Sequence, residues 1–292
     1  MRNKRVSAPP KSRGTSFVPG SVWWIDVSST DPARSRDFYA ELFGWSYQID
    51  PGPGRGHYTT ALLNGRPVAG LAGVPALARR PVAWTLYLAS ANIEYTGEVV
   101  TQWGGRVLAG PVDVPGRGRM LIGMDPTGAV IGFCQPRSPG TLHTTGPGSL
   151  SWAELNTWDG PRADKFFATV FGYRQQQIGD GIEVDYTIWS RGGRTMLCRL
   201  QMNQDWAAPD IGAHWLLYFA VDPRTGTDAA VDQVLALGGR VDFDPYDSEL
   251  GRIARVADPF GAAFALVDPT QRLEPATDLA AGSARVDDPY DD

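Results

Sequence analysis

Apolar positions along this chain switch between two periods in a fixed order. Residues 22–27 alternate strictly: Trp23, Ile25 and Val27 point one way while Val22, Trp24 and Asp26 point the other, as in a half-buried strand. A helical stripe follows, with Phe38/Leu42 and Tyr39/Phe43 as i,i+4 pairs, Asp31 positioned to cap it, Pro32 at its first turn and Gly44 to stop it. Three further strands are predicted at Trp45–Ile49, Tyr58–Leu63 and Pro67–Val74, punctuated by Pro/Gly-rich and Asn-Gly turns. The same grammar restarts with a strand at Val82–Ala89 and a helix at Ile93–Trp103. Strands at Arg106–Val114, Arg119–Met124 and Ala129–Gln135 complete it.

The whole arrangement is then written a second time. Trp24/Trp152, Phe38/Phe166, Phe43-Gly44/Phe171-Gly172 and Tyr58/Tyr186 all lie 128 residues apart. The offset drifts to 131 at Trp84/Trp215 and to 133 at Gly118-Arg119/Gly251-Arg252 and Asp125-Pro126/Asp258-Pro259. A conserved order with small drift is what a duplication followed by loop insertions leaves, and the period is too long for a solenoid. The chain therefore reads as four βαβββ units in two repeats, each large enough to hold a core of its own. The expected boundaries are a disordered extension at 1–19, a first domain at 20–136, a linker at 137–147, a second domain at 148–270 and a flexible acidic tail at 271–292.

Composition changes this picture little. A net charge of −5 offers no basic face for nucleic acid or membrane, and no apolar run approaches a membrane span. The two cysteines, Cys134 and Cys198, fall in apolar strand runs and read as buried thiols of a reducing compartment. The basic start lacks the apolar centre of a secretory signal, so a cytoplasmic monomer or homodimer is expected.

The segments TDPARSRDFYAELFGW, GRPVAGL and GGRVLAGPVDVPGRGRMLIGMDPTGAVIGFCQP, with their echoes DGPRADKFFATVFGY and GGRVDFDPYDSELGRIARVADPFGAAFALVDP, resemble the vicinal oxygen chelate superfamily of glyoxalases, bleomycin-resistance proteins and extradiol dioxygenases. The resemblance implies an α+β fold: tandem domains, each of two βαβββ units whose mixed sheet curls into a cup with helices outside and a ligand within. Metal-dependent members supply His, Glu or Gln from defined strands. Those positions fall here on Trp24, Thr85 and Gln135, on Trp152, Leu216 and Asp268, and near Ala72 or Arg199. At most one credible ligand per repeat remains at the three alignable positions, so neither metal nor other cofactor is expected.

Asp26 and Glu154 share the cup-facing side of their strands with Trp24 and Trp152. A carboxylate against an aromatic wall suits a general acid or base of raised pKa; a buried ion pair with Arg119 or Arg252 is the alternative. His214, unmatched in the first repeat, is a third candidate for proton transfer. Tyr58, Tyr186, Tyr87 and Tyr218, with Arg119, Arg252, Gln135 and Asp268, complete the expected substrate contacts. Three functions fit. The first is a metal-independent enzyme catalysing a rearrangement, cyclisation, elimination or hydration of an aromatic or polyketide-like metabolite in bacterial secondary metabolism. The second is non-catalytic drug or metabolite sequestration. The third is a metal enzyme using Gln135, Asp268, Glu154 and His214.

Overall fold

A computed structural model describes residues 17–49, 58–74, 82–138, 142–179, 181–182 and 184–273. Most of the expected disordered start (all but 17–19), most of the acidic tail and part of the linker lie outside these residues.

The first repeat runs β1 (Val22–Ser29), α1 (Pro32–Phe43), β2 (Ser46–Ile49), β3 (Thr59–Leu63), β4 (Arg66–Gly73), β5 (Trp84–Ala89), α2 (Ile93–Gln102), β6 (Arg106–Val114), β7 (Gly118–Met124) and β8 (Val130–Pro136). The second runs β9 (Leu150–Thr157), α3 (Gly160–Phe171), β10 (Arg174–Ile178), β11 (Tyr186–Arg191), β12 (Arg194–Gln201), β13 (His214–Ala220), α4 (Gly226–Ala236), β14 (Arg240–Ser248), β15 (Gly251–Ala257) and β16 (Ala263–Asp268). Helix ends follow the sequence signals. Asp31 and Asp159 each accept a backbone N–H of the first turn, at Arg34 and Arg162. Gly44 and Gly172 terminate the helices in the left-handed conformation.

Each repeat forms one eight-stranded mixed sheet, ordered β2-β3-β4-β1-β5-β8-β7-β6 in the first and β10-β11-β12-β9-β13-β16-β15-β14 in the second. The first strands of the two units pair antiparallel at the centre, β1 with β5 and β9 with β13. The units thus pair within a repeat. Among the described residues no helix is long and apolar enough to cross a membrane.

One expectation is corrected. The repeats do not hold separate principal cores, because the helix-side residues of both sheets join a single cluster. Phe43 stacks on Phe219 with ring centroids 5.1 Å apart, and Phe133 meets Phe171 at 6.0 Å. The contacts are pinned by polar groups: Tyr39 donates to Asp258 Oδ2 at 3.0 Å and Trp45 Nε1 to the Gly148 carbonyl at 2.8 Å. Each repeat's first helix thus packs against the partner sheet. The opposite sheet faces carry their own smaller clusters, one per repeat, which form the floors of two cups.

Candidate functional site

Strand alternation decides which side chains enter each cup, except at the start of β1. There a register shift between Val22 and Trp24 puts Trp23, expected on the core side, in the cup-side cluster with Trp24. In the first repeat Trp24 and Asp26 of β1, Tyr87 and Ala89 of β5, and Cys134 of β8 share a face, while Ile25, Leu86 and Phe133 join the common core. In the second, Glu154 of β9 sits opposite Leu216 of β13 and Trp152 opposite Tyr218. The matching positions of β4 and β12 are Gly70, opposite Asp26, and Cys198, opposite Glu154.

The first cup is a closed hydrogen-bonded set. Trp24 Nε1 donates to the Tyr58 hydroxyl at 2.7 Å, and Tyr58 donates onward to Asp26 Oδ2 at 3.3 Å. Tyr87 reaches Asp26 Oδ1 at 3.5 Å. Gly70 makes this possible, because a Cβ there would lie 1.8 Å from the Tyr58 hydroxyl oxygen. Arg117, in the turn between β6 and β7, lays its guanidinium over both aromatic rings, 4.5 Å from the Trp24 centroid and 4.5 Å from that of Tyr58. Asp26 is 9% exposed, and burial pushes its carboxyl up to about 6, against the opposing pull of Arg117, Tyr87 and Tyr58.

The second cup uses the same residue types differently. Glu154 Oε1 accepts from Asn156 Nδ2 at 2.9 Å and from the Tyr218 hydroxyl at 3.0 Å. Burial raises the Glu154 pKa, while Asn156, Tyr218 and the nearby Arg255 oppose the shift. Trp152 stacks on Tyr218, with centroids 4.4 Å apart and planes 22° off parallel. The Tyr186 hydroxyl lacks a partner in hydrogen-bonding geometry, although it lies close enough to Glu154 and Cys198 to affect both titrations. His214 Nδ1 faces the Gly212 carbonyl at 2.9 Å, and its Nε2 meets Arg255 Nη2 at 3.3 Å. Arg255 can only donate, so Nε2 is the acceptor and the ring is neutral. Burial and Arg255 both lower the His214 pKa, so this histidine orients the arginine rather than offering a free base.

The structure thus brings Trp24, Asp26, Tyr58 and Tyr87 together in one cup and Trp152, Glu154, Tyr186, Tyr218 and His214 in the other. Four expected contacts fall elsewhere. Arg119 shares the helix-side parity of Leu121 and pairs with Glu94 of α2. Arg252 pairs with Asp228 of α4 at 2.5 Å and with Asp247 at 2.8 Å. Gln135 Oε1 accepts the Ile93 N–H at the start of α2 (2.9 Å), and Asp268 accepts from Thr270 and Gln271 in the turn after β16. Alternation explains these placements: on the last strands the cup positions are Cys134 and Val267, one residue earlier than expected. Arg199 also faces the helix side, 2.8 Å from Asp164 and 2.6 Å from Asp185.

Sequence reasoning missed Arg117, Arg255 and Asn156. Arg255 was detectable, lying two residues beyond the cup-facing Ile253; Arg117, in a turn, carries no periodic signal.

The donor set does not suit a divalent metal. Each cup offers one carboxylate. Burial raises the thiols nearby, Cys134 to about 12 and Cys198 to about 11, disfavouring the thiolate a metal needs. Among the described residues no three His, Cys, Asp or Glu side chains cluster as a metal site. The combination of Gln135, Asp268, Glu154 and His214 does not converge.

Residues 22–133 match the model of the Glyoxalase/Bleomycin resistance protein/Dioxygenase superfamily. The chain is 32% identical to the anthracycline biosynthesis protein DauV of Streptomyces sp. (strain C5), over 91% of this chain and 100% of that one. It is also 32% identical to the anthracycline biosynthesis protein DnrV of Streptomyces peucetius, over 92% of this chain and 99% of that one. Among solved structures, the Mn(II)-bound glyoxalase from Novosphingobium aromaticivorans superposes with a TM-score of 0.59 at 13% identity, covering 88% of this chain and 84% of the other. At that identity the likeness concerns the fold.

Proposed function

The chain belongs to the glyoxalase/bleomycin resistance/dioxygenase superfamily, and from that premise we propose that it is a metal-independent enzyme of secondary metabolism. It acts on a flat aromatic or polyketide-like molecule by proton transfer from a cup carboxyl group. The relatives named for anthracycline biosynthesis support the metabolic setting. The observation that carries the reading is a buried carboxyl in each cup, beside an indole and two phenols, with no salt-bridge partner among the described residues.

The chemistry follows from the second cup. Asn156 and Tyr218 both donate to Oε1 of Glu154, so Oε2 is the oxygen available to exchange a proton. Burial keeps the carboxyl protonated to higher pH than an exposed glutamate, so it can deliver a proton as an acid and take one back as a base. Trp152 and Tyr218 provide a stacking wall that orients a conjugated ring. Arg255 favours a developing negative charge on the substrate. This set supports enolisation-type steps: rearrangement, cyclisation, elimination or hydration.

Sequestration is the second reading, favoured by the fact that tyrosine hydroxyls already donate to both carboxyl groups. The two separate on Glu154→Gln and Asp26→Asn. Under the enzymatic reading at least one variant loses more than about a hundredfold in turnover while ligand still quenches tryptophan fluorescence. Full turnover in both variants, or ligand recovered unchanged from wild-type protein, overturns it in favour of binding alone.

A further inference from the structure

The two cups have the same ancestry but differ in how the tryptophan and the first tyrosine are bonded. In the first, Trp24 Nε1 and the Tyr58 hydroxyl satisfy each other at 2.7 Å. In the second, the counterparts Trp152 Nε1 and Tyr186 OH are both buried and both unpartnered, and so is Asn156 Oδ1. These are three of the seven buried, unpartnered side-chain atoms among the described residues; the first cup's cluster holds one of the others, Trp23 Nε1. A buried polar atom without a partner is costly, so such a cluster marks a place where another molecule completes the set.

The sequence supplies the cause. Tyr58 occupies space that exists only because residue 70 is glycine. The counterpart of Gly70 is Cys198, paired with Glu154 as Gly70 is with Asp26, and its side chain denies Tyr186 that place. Trp152 stacks on Tyr218 instead of turning to the phenol. Closure differs as well. Arg117 covers the first cup, leaving Trp24 2% exposed, whereas its counterpart at the offset of 133 is Leu250, which packs at the side of the second cup. Trp152, Tyr186, His214 and Arg255 all remain half-buried.

We infer that the second cup alone is the ligand site, and that it takes a flat conjugated ring system bearing both a keto oxygen and a hydroxyl group. The keto oxygen accepts from Trp152 Nε1 and the Tyr186 hydroxyl. The ligand hydroxyl donates to Asn156 Oδ1. Trp152 and Tyr218 set the requirement for flatness. The first cup is the same device filled by its own side chains: Tyr58 in place of the ligand's acceptor and Arg117 over the rings. This assignment rests on the reading of the cups as small-molecule sites, and it stands or falls independently of turnover.

The test is titration calorimetry and fluorescence quenching with 2-hydroxyanthraquinone, whose hydroxyl is not tied to its own carbonyl, alongside 2-methoxyanthraquinone, which lacks the hydroxyl donor, and anthracene, which lacks the oxygens. Wild-type protein binds one equivalent of the hydroxyquinone, and each comparison compound binds at least fivefold more weakly. Trp152→Phe and Tyr186→Phe each weaken hydroxyquinone binding about fivefold or more, the value of one hydrogen bond. Tyr186→Phe remains as stable as wild type in urea, because it deletes an atom that had no partner, whereas Trp152→Phe also trims the ring stacked on Tyr218 and is modestly less stable. Trp24→Phe and Tyr58→Phe shift binding less than twofold. Two equivalents bound, an equal loss from the first-cup variants, or undiminished binding of anthracene overturns the assignment. So does absence of binding by the hydroxyquinone. Loss of binding in Trp152→Phe with turnover unaffected by both Glu154→Gln and Asp26→Asn sinks the catalytic reading and leaves the site assignment intact. The stoichiometry needs no variant, so a substitution that misfolds does not remove the test.

Discussion

Replacing Asp26 by Asn probes the electrostatics of the first cup without altering its shape. The Asp26 carboxyl is raised from the usual 3.8 to about 6, chiefly by burial. The native state therefore holds a proton that the unfolded chain releases between those two values. Wild-type stability is unaffected by this group below about pH 4 and falls as pH rises to about 6, then levels off. At about 1.4 kcal/mol per unit, the ionised carboxylate costs the native state about 3 kcal/mol above that window. Asparagine has no proton to lose, but its amide accepts the Tyr58 and Tyr87 hydroxyls less well, a loss of about 1 kcal/mol. Asp26→Asn should therefore be about 2 kcal/mol more stable than wild type at pH 8, and no more stable at pH 4. Urea unfolding followed by tryptophan fluorescence at several pH values measures the difference, in which all other titrating groups cancel. A variant less stable than wild type at pH 8, or a difference that does not change with pH, refutes the reasoning. It would show that Arg117 compensates the charge fully.

Other substitutions test separate parts of the structure. Arg199→Met should cost about 3–5 kcal/mol in thermal or urea unfolding, because it leaves Asp164 and Asp185 without their 2%-exposed cation. Arg119→Ala removes only a solvent-exposed pair with Glu94 and should change the unfolding midpoint by less than about 0.5 kcal/mol equivalent. Tyr39→Phe deletes the bond to Asp258 across the shared core and should lower stability by about 1–3 kcal/mol, with both sheets still melting in one transition. Purified protein analysed for metals should carry far less than one equivalent of zinc, iron, manganese or nickel; a stoichiometric metal that resists mild chelation would overturn the reading of the cups.

How much of this was legible in the sequence depends on what recurs. The strands, the caps at Asp31 and Asp159 and the cup-facing acids follow from alternation and helical spacing, and the duplicated tyrosines marked their partners. Recurrence also misled. Arg119/Arg252 attracted attention because they occur twice, yet each pairs with a helix outside the cup. Arg117 and Arg255, which do face the acids, have Leu250 and Ile122 as counterparts, so duplication gave no sign of them. Gln135 and Asp268 were misplaced by a single residue, and in a strand one residue exchanges the two faces. The common core was hidden for a different reason. Periodicity identifies an apolar face at Tyr39, Phe43 and Trp45 but not the surface that covers it.

The central claim is that a cup carboxyl performs the chemistry without a metal. The most direct measurement is conversion of metabolites in extract of the native host by chelator-treated wild-type protein, compared with Asp26→Asn and Glu154→Gln under the same conditions. The account predicts that wild-type turnover survives chelation and that at least one carboxyl variant loses it. Activity abolished by chelation and restored by a divalent metal, with both variants still active when metal is present, would contradict it.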